Sequence, residues 1–355
     1  MDYFIGFSFW KHKLIKPFFD EKPIFISPLL GQAHLIKTLS SRLSSKQSIY
    51  IWGRKSFPDL ERFAHTYKIS IFRVEDGFIR SVGLGSDLAQ PYSLVVDSRG
   101  IYFDPFVESD LEVILESAKF DEVLLDRART IKDYLIGKKL SKYNIYDDML
   151  LDFPSDKKII VVPGQVEDDA SIVYGAAGMT NLKLLQQVRS NRPDAYVIYK
   201  PHPDVISGNR MGKIDSDEAL IYCDRIITEV SIDSVLNHAD EVHTMTSHVG
   251  FEALIQGINV VTYGLPFYAG WGLSEDTHFS KRRTRTLSVE ELVAGTLLLY
   301  PHYIHPVTLK KCEIEELLEA LDVERKRYKN SSWIKVRNEA IQKLQMFIRG
   351  FKKIS

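Results

Sequence analysis

Cysteine is nearly missing from this chain: 355 residues contain two, Cys223 and Cys312, far apart and without metal-ligand spacing. That argues against a disulfide framework or a cysteine-bound zinc site and fits a reducing compartment. No apolar run reaches the roughly eighteen residues that a membrane-spanning helix needs. The start, Met1 to Phe19, alternates aromatics with Lys11, Lys13 and Lys16. That pattern does not make a signal peptide, so cytoplasmic residence is the expectation. Internal repeats and low-complexity segments are also lacking. What is present, 45% hydrophobic and 26% charged residues, suits a globular protein long enough for two domains.

Net charge is almost absent as well, at −1, but it is unevenly spread. From Arg325 to the end, ten Lys or Arg stand against the single acid Glu339, which puts +9 in the tail and −10 elsewhere. Ile334, Ile341, Leu344, Ile348 and Phe351, with Trp333 and Phe347 beside them, fall at helical spacing. The tail therefore reads as a basic amphipathic helix. Such a helix either docks on the protein body or lies peripherally on an anionic membrane surface, where each Lys or Arg adds about 1 kcal/mol. Nucleic acid is not expected, since no recognition motif accompanies the charge.

Strands and helices alternate in two blocks. In the first, Ser48 to Trp52 and Ile69 to Val74 read as strands around a helix from Asp59 to Lys68. Tyr92 to Asp97 and Gly100 to Phe103 read as a hairpin about Ser98-Arg99-Gly100, followed by acidic-start helices Ser109 to Ala118 and Asp121 to Lys138. Leu140 to Pro154 reads as a linker. The second block alternates strands Lys158 to Val162, Ala195 to Tyr199, Glu241 to Thr244 and Asn259 to Tyr263 with helices Thr180 to Ser190, Ser231 to His238 and Ser247 to Gln256, the pattern of a parallel sheet with crossover helices. The expected division is a Rossmann-like domain over 1–150, a second over 151–310 and a helical basic tail over 311–355, with a cleft between the two domains.

Ligands of open α/β sheets bind at the carboxyl ends of the strands, and there the chemistry concentrates. The first such end carries three adjacent acids, Glu167, Asp168 and Asp169; a solvated loop and a binding site are both open for it. The next carries Lys200 and His202, the histidine held between two prolines, where an imidazolium and an ammonium would neutralise a phosphate. The third carries Thr246, Ser247 and Gly250 at the opening of a helix whose amides attract an anion. The loop Gly264 to Gly272 interleaves aromatics with glycines, as a wall for a base or sugar ring or as a packed loop. Asp215-Ser216-Asp217 matches an aspartate-x-aspartate metal pattern but follows no hydrophobic strand, so no metal is assigned to it.

The motifs Glu75 to Ser81 (EDGFIRS), Val96 to Asp104 (VDSRGIYFD), Leu140 to Asn144 (LSKYN), Val162 to Ser171 (VPGQVEDDAS), KPHPDV (Lys200 to Val205), GNRMG (Gly208 to Gly212), EVHTMTS (Glu241 to Ser247) and YGLPFYAGWGL (Tyr263 to Leu273) together resemble the KpsC family of capsule polysaccharide biosynthesis proteins. The resemblance runs in order from Ser48 to Pro306 and is to the second of two tandem transferase modules in that family.

The resemblance implies a GT-B glycosyltransferase with two Rossmann-like domains facing a central cleft. It would move 3-deoxy-D-manno-octulosonic acid (Kdo) from CMP-β-Kdo to a Kdo-terminated oligosaccharide on a lysophosphatidylglycerol-type lipid at the inner face of the cytoplasmic membrane, with retention and a 2→7 linkage. Retention at a ketosidic carbon is most simply two inversions through a glycosyl-carboxylate. Asp169 is then the nucleophile, oriented by Ser171 and Gln165, and Glu75 or Asp76 the acid/base. Lys200, His202, Thr246, Ser247 and Gly250 would hold the CMP phosphate and Glu252 the ribose, while Arg80 or Arg210 would meet the sugar carboxylate. No cofactor or metal is called for, because CMP carries a monophosphate. Two other classes fit the same motifs: a transferase using CMP-sialic acid, and an inactive carbohydrate-binding or docking module.

Overall fold

The computed structural model describes residues 2–41, 47–83, 88–144, 149–208 and 210–330. The chain begins with two short strands, β1 (Tyr3–Ile5) and β2 (Ile24–Ile26), then β3 (Ser48–Trp52), β4 (Ser70–Asp76) and β5 (Ser93–Asp97). β2, β1, β3 and β4 are mutually parallel, and β5 turns back antiparallel on β4. A second sheet follows with β6 (Ile159–Pro163), β7 (Tyr196–Lys200), β8 (Arg225–Ile226), β9 (Glu241–Thr244), β10 (Asn259–Thr262) and β11 (Glu275–Asp276), all parallel, in the order β11-β10-β9-β6-β7-β8. The chain then returns: β12 (Pro301–Ile304) pairs antiparallel with β5, and β13 (Lys311–Cys312) with β12. The fold is mixed α/β, with a seven-stranded and a six-stranded sheet.

Local sequence explains the elements. β6 is buried at every residue, as a continuous Ile-Ile-Val-Val run in a central parallel strand should be. Side-chain oxygens of Ser109, Asp121, Thr180, Ser231 and Ser247 cap the helices that follow them. One apolar cluster runs from Val74 and Phe78 beside the first sheet to Val161, Phe251 and Trp271 beside the second, so the two sheets share a core. The outer face of each sheet carries a separate cluster.

Three expectations change. Residues 301–312 join the first sheet rather than the second unit. The helix Ile314–Asn330 follows them there, with Glu324 accepting from the Tyr92 hydroxyl at 2.8 Å and Arg127 bonding Glu313 and Glu315. Gly100 to Phe103 is not a strand: Asp97 gathers the amides of Arg99, Gly100 and Asp110, which turns the chain away from a hairpin. The expected linker is packed at its start, where Leu140 and Asn144 are buried. The apolar face assigned to the basic tail, Trp333 to Phe351, lies outside the described residues. Among the described residues no helix is long and apolar enough to cross a membrane.

Candidate active site

The carboxyl ends of both sheets open onto one cavity of about 780 Å³. In the second sheet strand order reverses between β6 and β9, and such a switch point leaves a crevice between diverging loops. Gln165, Asp169, His202 and Ser247 line that side; Lys11, Glu75, Asp76 and Lys142 line the other.

At the end of β6 the three acids have three different partners. Glu167 accepts from the Asn181 amide at 2.8 Å and so anchors the helix Asn181–Asn191. Asp168 binds the Arg210 Nε at 3.1 Å. Asp169 is the N-cap of the helix Ala170–Gly175; its Oδ2 accepts from the Ser171 hydroxyl at 2.8 Å, while Oδ1 lies 3.8 Å from Arg210 Nη2. Ser171 therefore orients Asp169 as expected, but Gln165 does not. Gln165 stitches β6 to β9, donating to Thr246 Oγ1 at 3.1 Å and accepting from the Thr246 amide at 2.9 Å.

At the end of β7, Lys200 is buried and donates to the carbonyls of Thr228 and Val230 at 3.1 and 2.7 Å; burial pulls its ammonium down to about 8. His202 caps the short helix Pro203–Ile206, its Nδ1 accepting from the Asp204 amide at 3.1 Å. Nε2 is then the protonated nitrogen. Burial lowers the ring's pKa, against Asp204 and Asp169, so it is a neutral donor rather than the expected imidazolium.

At the end of β9, Ser247 caps the helix His248–Ile255. Gly250 is needed for a close approach, not for an anion: a Cβ there would meet the Tyr268 hydroxyl at 2.2 Å, and that hydroxyl donates to the Ser247 carbonyl at 2.6 Å. Glu252 accepts from the Lys142 amide at 3.0 Å, and burial, with Asp233 nearby, raises its carboxyl to about 8. The glycine-aromatic loop is mainly core, with Tyr268 and Trp271 fully buried; its Pro266 and Phe267 reach the cavity. Asp215 caps the helix Ser216–Leu220, which gives the Asp215-Ser216-Asp217 pattern a structural use.

On the opposite wall, Glu75 and Asp76 end β4. Burial raises the Glu75 carboxyl to about 7 despite Lys11, and the charges of Asp76 and Asp169 add to the rise. For Asp76 burial pushes the same way, but Arg80 and Lys11 outweigh it and hold the group below the usual carboxylate range. Arg80, expected to meet a substrate carboxylate, is instead buried with its Nε 2.9 Å from Asp76 Oδ2 and its other nitrogens on Ser81 Oγ and the Ala89 carbonyl.

A family model described as "Capsule polysaccharide biosynthesis protein" matches residues 47–303. The chain belongs to this family. It is 43% identical over 353 residues to the capsule polysaccharide modification protein LipA of Neisseria meningitidis serogroup A, covering 99% of this chain and 50% of LipA. It is 40% identical over 284 residues to the lipopolysaccharide-processing protein LpsZ of Rhizobium meliloti, covering 79% of this chain and 64% of LpsZ. The chain thus spans about half to two thirds of the length of these relatives. Among solved structures it is similar to the beta Kdo 2,7 transferase of Thermosulfurimonas dismutans KpsC, with TM-score 0.74, 40% identity and coverage of 91% of this chain and 99% of the other. The beta Kdo 2,4 transferase of the same protein gives TM-score 0.75 and 29% identity, over 90% and 97%.

In this member of the family Lys11, Lys142, Tyr143 and His248 also line the cavity, and no sequence pattern marks them as site residues. Lys11 packs its ammonium 3.3 Å from the centre of a Trp52 ring and 3.4 Å from Asp76 Oδ2. Its signal was faint, a lysine among aromatics. Lys142 and Tyr143 stood in plain view in Leu140 to Asn144, a polar stretch with the texture of a linker. His248 is half-buried, with its Nε2 fully enclosed; among the described residues that nitrogen has no hydrogen-bond partner, and Glu252 Oε1 lies 3.8 Å away. At sequence level it is one more residue behind a helix cap.

Proposed function

We propose that the chain is a retaining β-Kdo transferase of GT-B architecture, using CMP-β-Kdo and a Kdo-terminated glycolipid acceptor. The observation that carries the reading is a pair of carboxyl groups from opposite walls of one cavity: Asp169 and Glu75 are close enough for the charge of one to raise the other. Family membership supports the capsule assignment. The 40% identity to the 2,7 transferase, against 29% to the 2,4 enzyme, supports a 2→7 linkage.

In the first step Asp169 Oδ1 attacks C2 of the donor sugar, and the C2–O bond to the phosphate breaks with its electron pair leaving on CMP. The Ser171 hydroxyl holds Oδ2 and leaves Oδ1 to react. The Nε2–H of His202 donates to the departing phosphate, assisted by the amide end of the helix His248–Ile255. Glu252, carrying a proton below about 8, is suited to a ribose hydroxyl. In the second step an acceptor hydroxyl attacks C2, the C2–O bond to Asp169 breaks, and the hydroxyl proton passes to Glu75. Two inversions give retention. Asp76 Oδ1, buried without a hydrogen-bond partner among the described residues, is available to align the acceptor.

The test is transfer from CMP-Kdo to a synthetic β-Kdo-terminated acceptor, followed by mass spectrometry and NMR of the product. One added Kdo in β-2,7 linkage is expected. Consumption of CMP-sialic acid with CMP-Kdo untouched would point to the sialic acid class, and no transfer from either donor to a docking module.

A further inference from the structure

We propose that Lys142 is the cation that receives the C1 carboxylate of the 2-ulosonic acid in this cleft; the inference rests on the transferase reading above. The other cavity cations near the paired carboxyls are committed elsewhere. Arg80 is held by Asp76, Ser81 and Ala89, Arg210 by Asp168, Lys200 by two carbonyls and Lys11 by Asp76 and the Trp52 ring. The Lys142 ammonium lies 5.7 Å from the centre of the neighbouring Tyr143 ring, and no hydrogen bond or ion pair is found for it among the described residues.

Its main chain is clamped from both walls. The Lys142 carbonyl accepts from the amides of Arg80 and Ser81 at 3.2 and 3.3 Å, and its own amide donates to Glu252 Oε1 at 3.0 Å. The side chain thereby stands between the sheets. Its charge is felt by Asp76 and Tyr102 on the first wall and by His202 and His248 on the second.

Charge balance points the same way. Lys11, Arg80 and Lys142 face two carboxyls, Asp76 and Glu75, and Glu75 is about half protonated near neutral pH. Tyr102 and Tyr143 stay neutral there, because burial raises both phenols. The wall keeps a surplus positive charge in a poorly solvated place, an arrangement that is costly until an anion enters. A sugar carboxylate is the anion that both substrates of the proposed reaction carry.

The experiment is a coupling cycle on the full chain. Binding of the methyl β-glycoside of Kdo and of its carboxylate methyl ester is titrated by NMR on wild type, Lys142→Met and Lys142→Gln. The wild type should prefer the acid by roughly tenfold or more, the scale of a charge-assisted hydrogen bond, and both variants should lose that preference. In transfer assays the loss appears as a raised KM for whichever substrate presents the carboxylate, and Lys142→Arg restores part of it. A purely structural role would weaken acid and ester alike and leave the preference intact. That result overturns the assignment without touching the transferase reading. A wild type that binds neither compound and transfers no Kdo overturns both.

Discussion

Glu75 and Asp76 are sequence neighbours on one strand, yet their surroundings drive them apart. Burial lifts Glu75 to about 7, whereas Arg80 and Lys11 hold Asp76 ionised. A base must be deprotonated to accept the acceptor's proton, and a raised pKa means that Glu75 is protonated below about 7. Transfer should therefore rise with pH through an inflection near 7 and fall roughly tenfold per unit well below it. Glu75→Gln should remove the inflection and cost about 10²- to 10⁴-fold in kcat. A pH profile of kcat on both proteins checks this, and an unchanged inflection in the variant would assign it to another group. The residue types at these places were legible in the sequence; which of two adjacent acids does the chemistry was not, because the difference comes from the folded strand end, where Arg80 sits 2.9 Å from Asp76 and Glu75 is left to the effect of burial.

Four strands of the second sheet, β6, β7, β9 and β10, were readable as short runs bounded by turns and helix caps, and β3 and β9 fall on the expected residues; β8 and β11, two residues each, were not. β1 and β2 were not, being three residues each among lysines and aromatics, with their pairing supplied by β3. Gly250 shows how an element can mislead: a glycine near a helix start resembles an anion site, but its lack of a side chain makes room for Tyr268. Gly250→Ala should destabilise the fold by about 1–3 kcal/mol through overpacking and loss of the Tyr268 bond to Ser247. Chemical denaturation measures that loss, and Tyr268→Phe in the same background should recover part of it. A variant as stable as wild type would mean that the ring moves without cost.

At the scale of the molecule, the decisive feature is that two sheets present their carboxyl ends to one cavity and share a core behind it. The alternation of elements announced the two sheets. The return of the chain through β12 and β13 was hidden, since antiparallel pairing of 301–304 with β5 depends on partners two hundred residues earlier. The shared cavity makes Asp169, from the second sheet, and Glu75, from the first, partners in one reaction. Trapping should expose this directly: in Glu75→Gln the first displacement can proceed while the second is slowed, so a glycosyl-enzyme should accumulate. Intact-mass analysis of that variant after incubation with CMP-Kdo, with peptide mapping, is predicted to find one added Kdo residue on Asp169. Unmodified protein during measurable turnover, or a sugar attached to another residue, would contradict the account.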